Sequence, residues 1–373
     1  MTAISHETQA GELLPLRGRT PSQLFWRRLR RNRTAIVGLY VLVALYASAL
    51  FAGFVAPYSY DNAVTDLSFH PPMLTQIKLF DEQGKLSRPF VYGTTQTDPQ
   101  LATYRVDTSK MYPINLFVRG DRYHILWTIK SNIHLFGVDR PGRIYLFGAD
   151  KFGQDTFSRI LYGGQVSLSI GVVGIIISTI IGLLVGGAAG YFGGAVDFIS
   201  MRAVEVLLAL PSLYFILILR QSFGSGASSI QIYIIIVLIL ALIGWGTEAR
   251  VIRGMVLSLK EQDYVVAARA MGFSDWRIII RHILPNTLSY VIVTATLSVP
   301  FYILSEVALS FLGVGIQEPE ASWGNMLTAA QNPRILGDFP WMLTPGVFIF
   351  VAVMAWNFLG DGLRDAADPR TLS

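Results

Sequence analysis

The sequence predicts an all-α membrane protein of six transmembrane helices, with a small β-containing domain between the first and second. Three observations predict it. Of 373 residues 52% are hydrophobic and only 15% charged, whereas a soluble domain has about 25% charged. Apolar runs approaching the ~20 residues that cross a bilayer recur along the chain. One stretch, 57–154, breaks that pattern with prolines, charges and turn residues. Cysteine is absent, so a disulfide framework, a zinc-thiolate site and a cysteine nucleophile are all excluded. The net charge of +5 reports Arg and Lys flanking spans rather than nucleic-acid binding.

Residues 1–34 read as a cytoplasmic tail. They are polar as far as Gln23, and then Arg27, Arg28, Arg30, Arg31 and Arg33 cluster beside Phe25 and Trp26. Arginines directly before an apolar run anchor the inner end of a span, a better reading than a nucleic-acid patch. The first span is 35–56. Ala47-Ser48-Ala49 resembles a signal-peptide cleavage site, but the apolar run continues to Val55, and cleavage would remove a span that the topology needs. With the N-terminus inside, 57–154 lies outside the cytoplasm. Tyr123–Ile129 and Arg143–Phe147 alternate like strands. The plainer alternative for this insertion is an irregular cap. Near its end, Asp150 and Asp155 invite a metal reading, but turn and helix-cap roles suit two carboxylates better.

Residues 155–363 form the core. The second span, 166–189, carries Gly182, Gly186 and Gly190 at four-residue spacing, which lets another helix approach closely; a pore-lining face is the alternative. The third, 202–221, holds Pro211 as a kink and an Arg202–Glu205 pair. The fourth is 230–246. Glu248, Arg250, Arg253 and Lys260 then lead into a cytoplasmic loop, 260–286. The fifth span, 287–311, contains Pro300 and Glu306, the candidate translocation-path or gating residues. Pro300 can flex the helix, or neighbouring helices can simply tolerate it. An acid in an apolar run is costly and usually functional; helix pairing is the competing role for Glu306. An outer loop with Ser322-Trp323-Gly324 precedes the sixth span, 340–359, and the tail 364–373.

The loop 260–286 has helical patterning on both sides of a glycine. Tyr264, Ala267, Ala268 and Met271 fall at i, i+3, i+4 and i+7, so they share one helix face. Gly272 suits a left-handed stop, Ser274 can cap a second helix, and Pro285 ends it. Trp276, Ile279, Ile280 and Ile283 repeat the spacing. An apolar face of this kind docks on a partner protein or lies on the lipid surface.

Ala267-Ala268, Gly272 and Leu284-Pro285 resemble the "EAA" loop of permease subunits in ABC importers. In that family the loop is a coupling helix seated in a cleft of the ATP-hydrolysing subunit. The resemblance implies an ATPase-coupling role for Tyr264, Ala267, Ala268, Met271, Gly272, Phe273, Trp276 and Pro285. Val266 stands where the family usually has Glu, which removes any salt bridge from that position, and His282 stands where the broader pattern has Ile. The Gly148–Gly164 stretch, Ser322-Trp323-Gly324 and the tail GDGLRDAADPR resemble the C-type permease of dipeptide and oligopeptide importers. Together the resemblance covers the first span and 147–373; 58–146 is unmatched.

It implies a type I importer permease fold in a prokaryotic inner membrane, with both termini cytoplasmic. The chain would form half of a pathway for peptides delivered by an extracytoplasmic binding protein. A second permease subunit and two ABC ATPases would complete the complex, with ATP and Mg bound by the ATPases. No G-x-x-x-x-G-K-[ST] loop is present, so hydrolysis falls to partners, and no catalytic, cofactor or metal-ligating residue is expected here. The same architecture importing nickel, glutathione or an oligosaccharide is the alternative. An intramembrane enzyme would need motifs such as H-E-x-x-H or G-x-S-x-G, which are missing. An ion-coupled carrier or channel would need several charges within spans.

Overall fold

Asn32 separates the first two helices. Helix α1 (Pro21–Arg31) ends before it, and its side-chain oxygen accepts the Ala35 N–H at 3.1 Å to start α2 (Arg33–Leu50), a standard N-cap. A computed structural model describes residues 21–80, 86–98, 101–125, 128–209, 211, 214–215, 217–218 and 228–367. A short helix α3 (Ala52–Val55) extends α2 into the insertion.

The insertion is a four-stranded antiparallel meander: β1 (Lys78–Phe80), β2 (Leu86–Asp98), β3 (Thr103–Ile125) and β4 (Ile129–Val138), in that order across the sheet. Strand β3 is long enough for two partners. Its first part pairs with β2, from Asp98↔Thr103 to Phe90↔Pro113, and its second with β4, from Ile114↔Val138 to Ile125↔Ile129. Of Tyr123–Ile129, expected as one strand, Tyr123–Ile125 ends β3 and Ile129 begins β4, and residues 126–127 lie outside the described residues. Arg143–Phe147 is no strand either. The Tyr145 and Leu146 carbonyls accept from Met73 and Leu74 at the edge of a 3-10 turn, so the alternation reflects burial of Ile144 and Tyr145 against Met73 and Val91.

The membrane core follows: α4 (Thr156–Phe192), α5 (Gly194–Ala209), α6 (Ser229–Leu259), α7 (Asp263–Ala270), α8 (Asp275–Ile278), α9 (Leu288–Phe311), α10 (Trp323–Met326), α11 (Pro333–Asp338) and α12 (Thr344–Ala367). Among the described residues, five helical stretches are long and apolar enough to cross a membrane: Arg33–Leu50, Thr156–Phe192, Ser229–Leu259, Asp275–Phe311 and Pro340–Ala367. The expected span 202–221 lies partly outside the described residues; α5 covers its first half. The helices outrun their apolar cores. Helix α4 starts ten residues before the expected 166, because Asp155 caps it by accepting the Ser158 N–H at 2.8 Å.

Packing follows the glycines. A Cβ at Gly182, Gly186 or Gly190 would lie 2.7 Å from Glu248 Cβ, 2.5 Å from Ala249 O and 2.8 Å from Arg253 O, so this seam of α4 rests directly on α6. The central core joins α2, α4, α6, α9 and α12 through residues such as Leu45, Leu168, Leu240, Ile303 and Ala352. At one end of the bundle Ala35 meets Gly362. At the other, Phe147 meets Phe348 at 6.1 Å between ring centres, and the Trp341 indole donates to Ala149 O at 3.1 Å. The insertion marks the second end; α7 and α8 mark the first.

Candidate functional site

Helix α7 stops at Ala270 and the chain turns through Gly272, whose φ of +77° is left-handed. Nothing lies within 4 Å of where its Cβ would be. Glycine is required here by backbone conformation alone. Ser274 occupies the N-cap position of α8, but its side chain makes no capping bond.

Pro285 does not end the second helix as expected. After Ile278 the chain widens into a π-turn over Ile279–Ile283 and tightens into a 3-10 turn over Leu284–Thr287 before α9. The wide turn absorbs the proline ring, and a proline in the first positions of the next turn has no N–H to lose. The second arm of the hairpin and the fifth span are therefore one continuous helical stretch, Asp275–Phe311.

The four residues read as one helix face are divided by the fold. Ala268 is 2% exposed and packs with Val265, Tyr191, Ile252, Val256, Ile279 and Ile283. Tyr264, Ala267 and Met271 point outward. With Val266, Trp276 and Ile280 they form an exposed apolar surface around Gly272. Phe273 is half-buried against the same cluster, its ring 5.6 Å from His282, and Pro285 is exposed.

The hairpin sits on a firm base. The Tyr191 hydroxyl donates to Asp275 Oδ1 at 2.8 Å, Arg269 lies 5.4 Å over the Tyr191 ring, and Phe192 meets Trp276 edge-on at 5.9 Å. These contacts bind it to the end of α4, and Ile252 and Val256 bind it to α6.

The second set of candidates lies toward the other end of the bundle. Glu306 is fully buried. It accepts from Ser167 Oγ on α4 and Ser310 Oγ on α9, both at 2.7 Å. Each serine in turn accepts a backbone N–H, from Trp323 at 3.1 Å and Ile316 at 3.0 Å. The acid thus ties two helices to the loop 313–326, the helix-pairing role. That loop closes on itself through Ser322 and Asn325, and the Trp323 indole donates to Ile160 O at 2.9 Å. Pro300 is buried within an uninterrupted α9. Ser and Thr hydroxyls beside it bond back one turn, as Ser298 does to Thr294 O at 2.8 Å.

The sequence gives no sign that Arg159 and Glu248 are buried. Arg159, 1% exposed, donates both Nη2 hydrogens to Glu318, at 2.9 and 2.8 Å, and Nη1 bonds Gln154 and the Tyr60 carbonyl. Glu248, placed by the sequence at the approach to the loop, lies buried in α6 against Gly182. Asp150 accepts from the Phe152 and Gln154 N–H groups at 2.8 and 3.0 Å, and Asp155 caps α4, so both serve as turn and cap. Burial outweighs the Ser158 bonds and pushes the Asp155 carboxyl up to about 7.

Residues 156–373 match the family described as binding-protein-dependent transport system inner membrane component, and 20–72 match the N-terminal TM domain of oligopeptide transport permease C. The chain belongs to this inner membrane permease family. Its members are transport components, so this permease is not itself a catalytic subunit. Three curated relatives are similar to it. A putative peptide permease protein of Brucella ovis is 44% identical over 62% of this chain and 74% of its own length. The dipeptide transport system permease protein DppC of Bacillus subtilis is 34% identical over 92% of this chain and 84% of its own. The oligopeptide transport system permease protein OppC of Haemophilus influenzae is 42% identical over 61% and 70%. A solved amino acid ABC transporter chain overlays the permease with a TM-score of 0.39 at 14% identity, over 55% of this chain and 92% of that one, too loosely to carry an inference.

Proposed function

We propose that this permease forms half of an ATP-driven import pathway for peptides, with the α7–Gly272–α8 hairpin as the dock for an ATP-hydrolysing subunit. The observation that carries the proposal is the apolar surface of Tyr264, Val266, Ala267, Met271, Trp276 and Ile280, left exposed on a hairpin that is itself bolted to α4 and α6. A rigid, outward, apolar elbow at a membrane surface fits a protein groove. Val266 contributes apolar area where the family's Glu would place a charge. Peptide cargo is supported by relatives named for dipeptide and oligopeptide transport. The complex has a second permease subunit, two ATPases that hold ATP and Mg, and an extracytoplasmic binding protein.

Six crossings are supported by parity. Helix α2 begins and α12 ends at the hairpin end of the bundle, where Ala35 meets Gly362, so the crossings between them are even in number. Helices α4 and α6 both finish at that end, where Gly190 meets Arg253 and Val256. The start of α5 and the start of α6 therefore lie at opposite ends of the bundle, as a crossing between them requires. Helix α5 leaves the hairpin end beside Arg253, which pairs with Asp197 at 2.5 Å, and climbs past Trp245 and Ala249 at Val204. With the hairpin cytoplasmic, both termini are cytoplasmic and the β-sheet insertion lies outside, over the pathway mouth and within reach of the delivery protein.

The test is replacement of Gly272 by Val, with a single cysteine placed at Met271 in this cysteine-free chain. The variant is expected to insert normally and lose stimulation of the ATPase. The cysteine is expected to react with an impermeant maleimide only from the cytoplasmic side. Unchanged stimulation overturns the dock, and labelling from outside overturns the topology.

A further inference from the structure

The arginines of helix α1 entered above only as a span anchor, yet its sequence, PSQLFWRRLRR, is sharply divided. Leu29 is buried and Phe25 half-buried against Ala35 of α2 and Leu363 and Ala366 of α12. Those two residues are four apart and share one face. Trp26, Arg27, Arg30 and Arg31 are exposed on another face. Gln23, Trp26, Arg27, Arg30 and Arg31 line one shallow groove there, and Trp26 is 56% exposed. Neither α1 nor α2 contains an acidic residue. Among the described residues no carboxylate lies in ion-pair reach of Arg27, Arg30 or Arg31. The nearby Asp365 accepts the Asn32 amide at 3.2 Å instead.

The level of this groove is fixed by its neighbour. Asn32 joins α1 directly to α2, a span by length and composition, so α1 lies where hydrocarbon gives way to headgroups. Three guanidinium groups and an indole face that layer. A guanidinium presents a planar fork that matches phosphate oxygens two at a time. An indole settles at headgroup depth, and a basic amphipathic helix draws anionic lipid. Arginines in an unstructured tail would be attracted only diffusely. Here they are held on a formed helix whose other face is locked to α12.

We propose that Arg27, Arg30 and Arg31, with Trp26, form a binding site for the phosphate headgroup of an anionic phospholipid in the leaflet where α2 begins. Lipid held there pins α1 against the end of α12.

The full chain, purified in detergent, is titrated with phosphatidylglycerol or phosphatidylcholine, and retained lipid is counted by native mass spectrometry. Phosphatidylglycerol is expected to bind at least tenfold more tightly than phosphatidylcholine and to raise the unfolding temperature. The R27Q/R30Q/R31Q variant loses that preference, R27K/R30K/R31K keeps part of it, and R88Q/R105Q/R119Q in the insertion keeps all of it. Equal retention of the two lipids by the wild type overturns the site, as does full retention by the glutamine variant. Should that variant fail to fold, wild type whose unfolding temperature ignores phosphatidylglycerol overturns it as well. A photo-crosslinker at Trp26 that captures a partner subunit rather than lipid in the assembled complex also overturns it.

Discussion

Ala267 and Ala268 are adjacent, chemically identical and placed by periodicity on the same face, yet the fold gives their substitutions opposite consequences. Ala268 is 2% exposed and surrounded by Val265, Tyr191, Ile252, Val256 and Ile279. Ala268→Leu forces three more carbons into that space, and overpacking of this kind costs about 1–3 kcal/mol. The isolated permease should unfold several degrees lower, on a scale of roughly 2–4 °C per kcal/mol for chains somewhat shorter than this one. Ala267 faces outward, so Ala267→Leu should change the isolated chain by less than about 0.5 kcal/mol. In the assembled transporter the order reverses in kind. If the hairpin is the dock proposed above, Ala267→Leu places a branched side chain in that contact, and should lower ATPase stimulation about tenfold, equivalent to about 1.4 kcal/mol of docking energy. Thermal unfolding of the isolated chain in detergent and ATPase assays of the reconstituted complex measure the two effects separately. If Ala267→Leu destabilises the isolated chain as much as Ala268→Leu does, the division of the two faces is wrong.

Two further outcomes follow from buried polar groups. Glu306→Ala leaves Ser167 and Ser310 without their acceptor and should destabilise the permease by about 2–4 kcal/mol, whereas Glu306→Gln retains a hydrogen-bonding oxygen and should lose less than half of that. Equal losses in thermal unfolding would mean that the acid, rather than an acceptor, is what the site needs. In the insertion, His70 bonds the Pro71 carbonyl and Thr94 Oγ1, and burial lowers its pKa from 6.5 to about 4. The ring is neutral in the fold, so the stability it preserves is complete above pH 6.5 and is lost as pH falls toward 4. The full loss is about 3 kcal/mol. Hydrogen exchange should show the sheet loosening across that window, with the pH dependence flattened in His70→Gln; protection that holds steady from pH 7 to 4 would refute it.

What could be read from the chain depended on whether the cause was local. Hydropathy marks the long spans, and the four-residue glycine spacing marks a close helix contact on α4, though not that α6 makes it, because apolar length and missing side chains act wherever they stand. The hairpin was visible for the same reason: Gly272 marks a left-handed stop. Which alanine turns inward was not visible, since periodicity says which residues share a side and only the neighbouring α4 and α6 decide which side is covered. Pro285 misled because its rule forbids an α-turn but permits a π-turn followed by a 3-10 turn. Arg159 was missed because its burial is assembled from Tyr60, Gln154 and Glu318, segments with no pattern in common. Glu248 follows the apolar run as a span-flanking charge does, and only its contact with Gly182 on α4 buries it.

The fusion of the hairpin's second arm with α9 sets a length scale. Asp275–Phe311 is 37 residues, roughly 55 Å at ~1.5 Å of rise per residue. A rod of that span amplifies angle into distance: pivoting by roughly 5° at its lower tip would carry its upper tip sideways by roughly 5 Å. Glu306 and the Trp323 loop are mounted near that upper tip. Because the hairpin is fixed to α4 and α6 and Glu306 ties α9 to α4, a small rotation of the elbow would carry these helices as one body and displace the loop by about the width of a peptide chain.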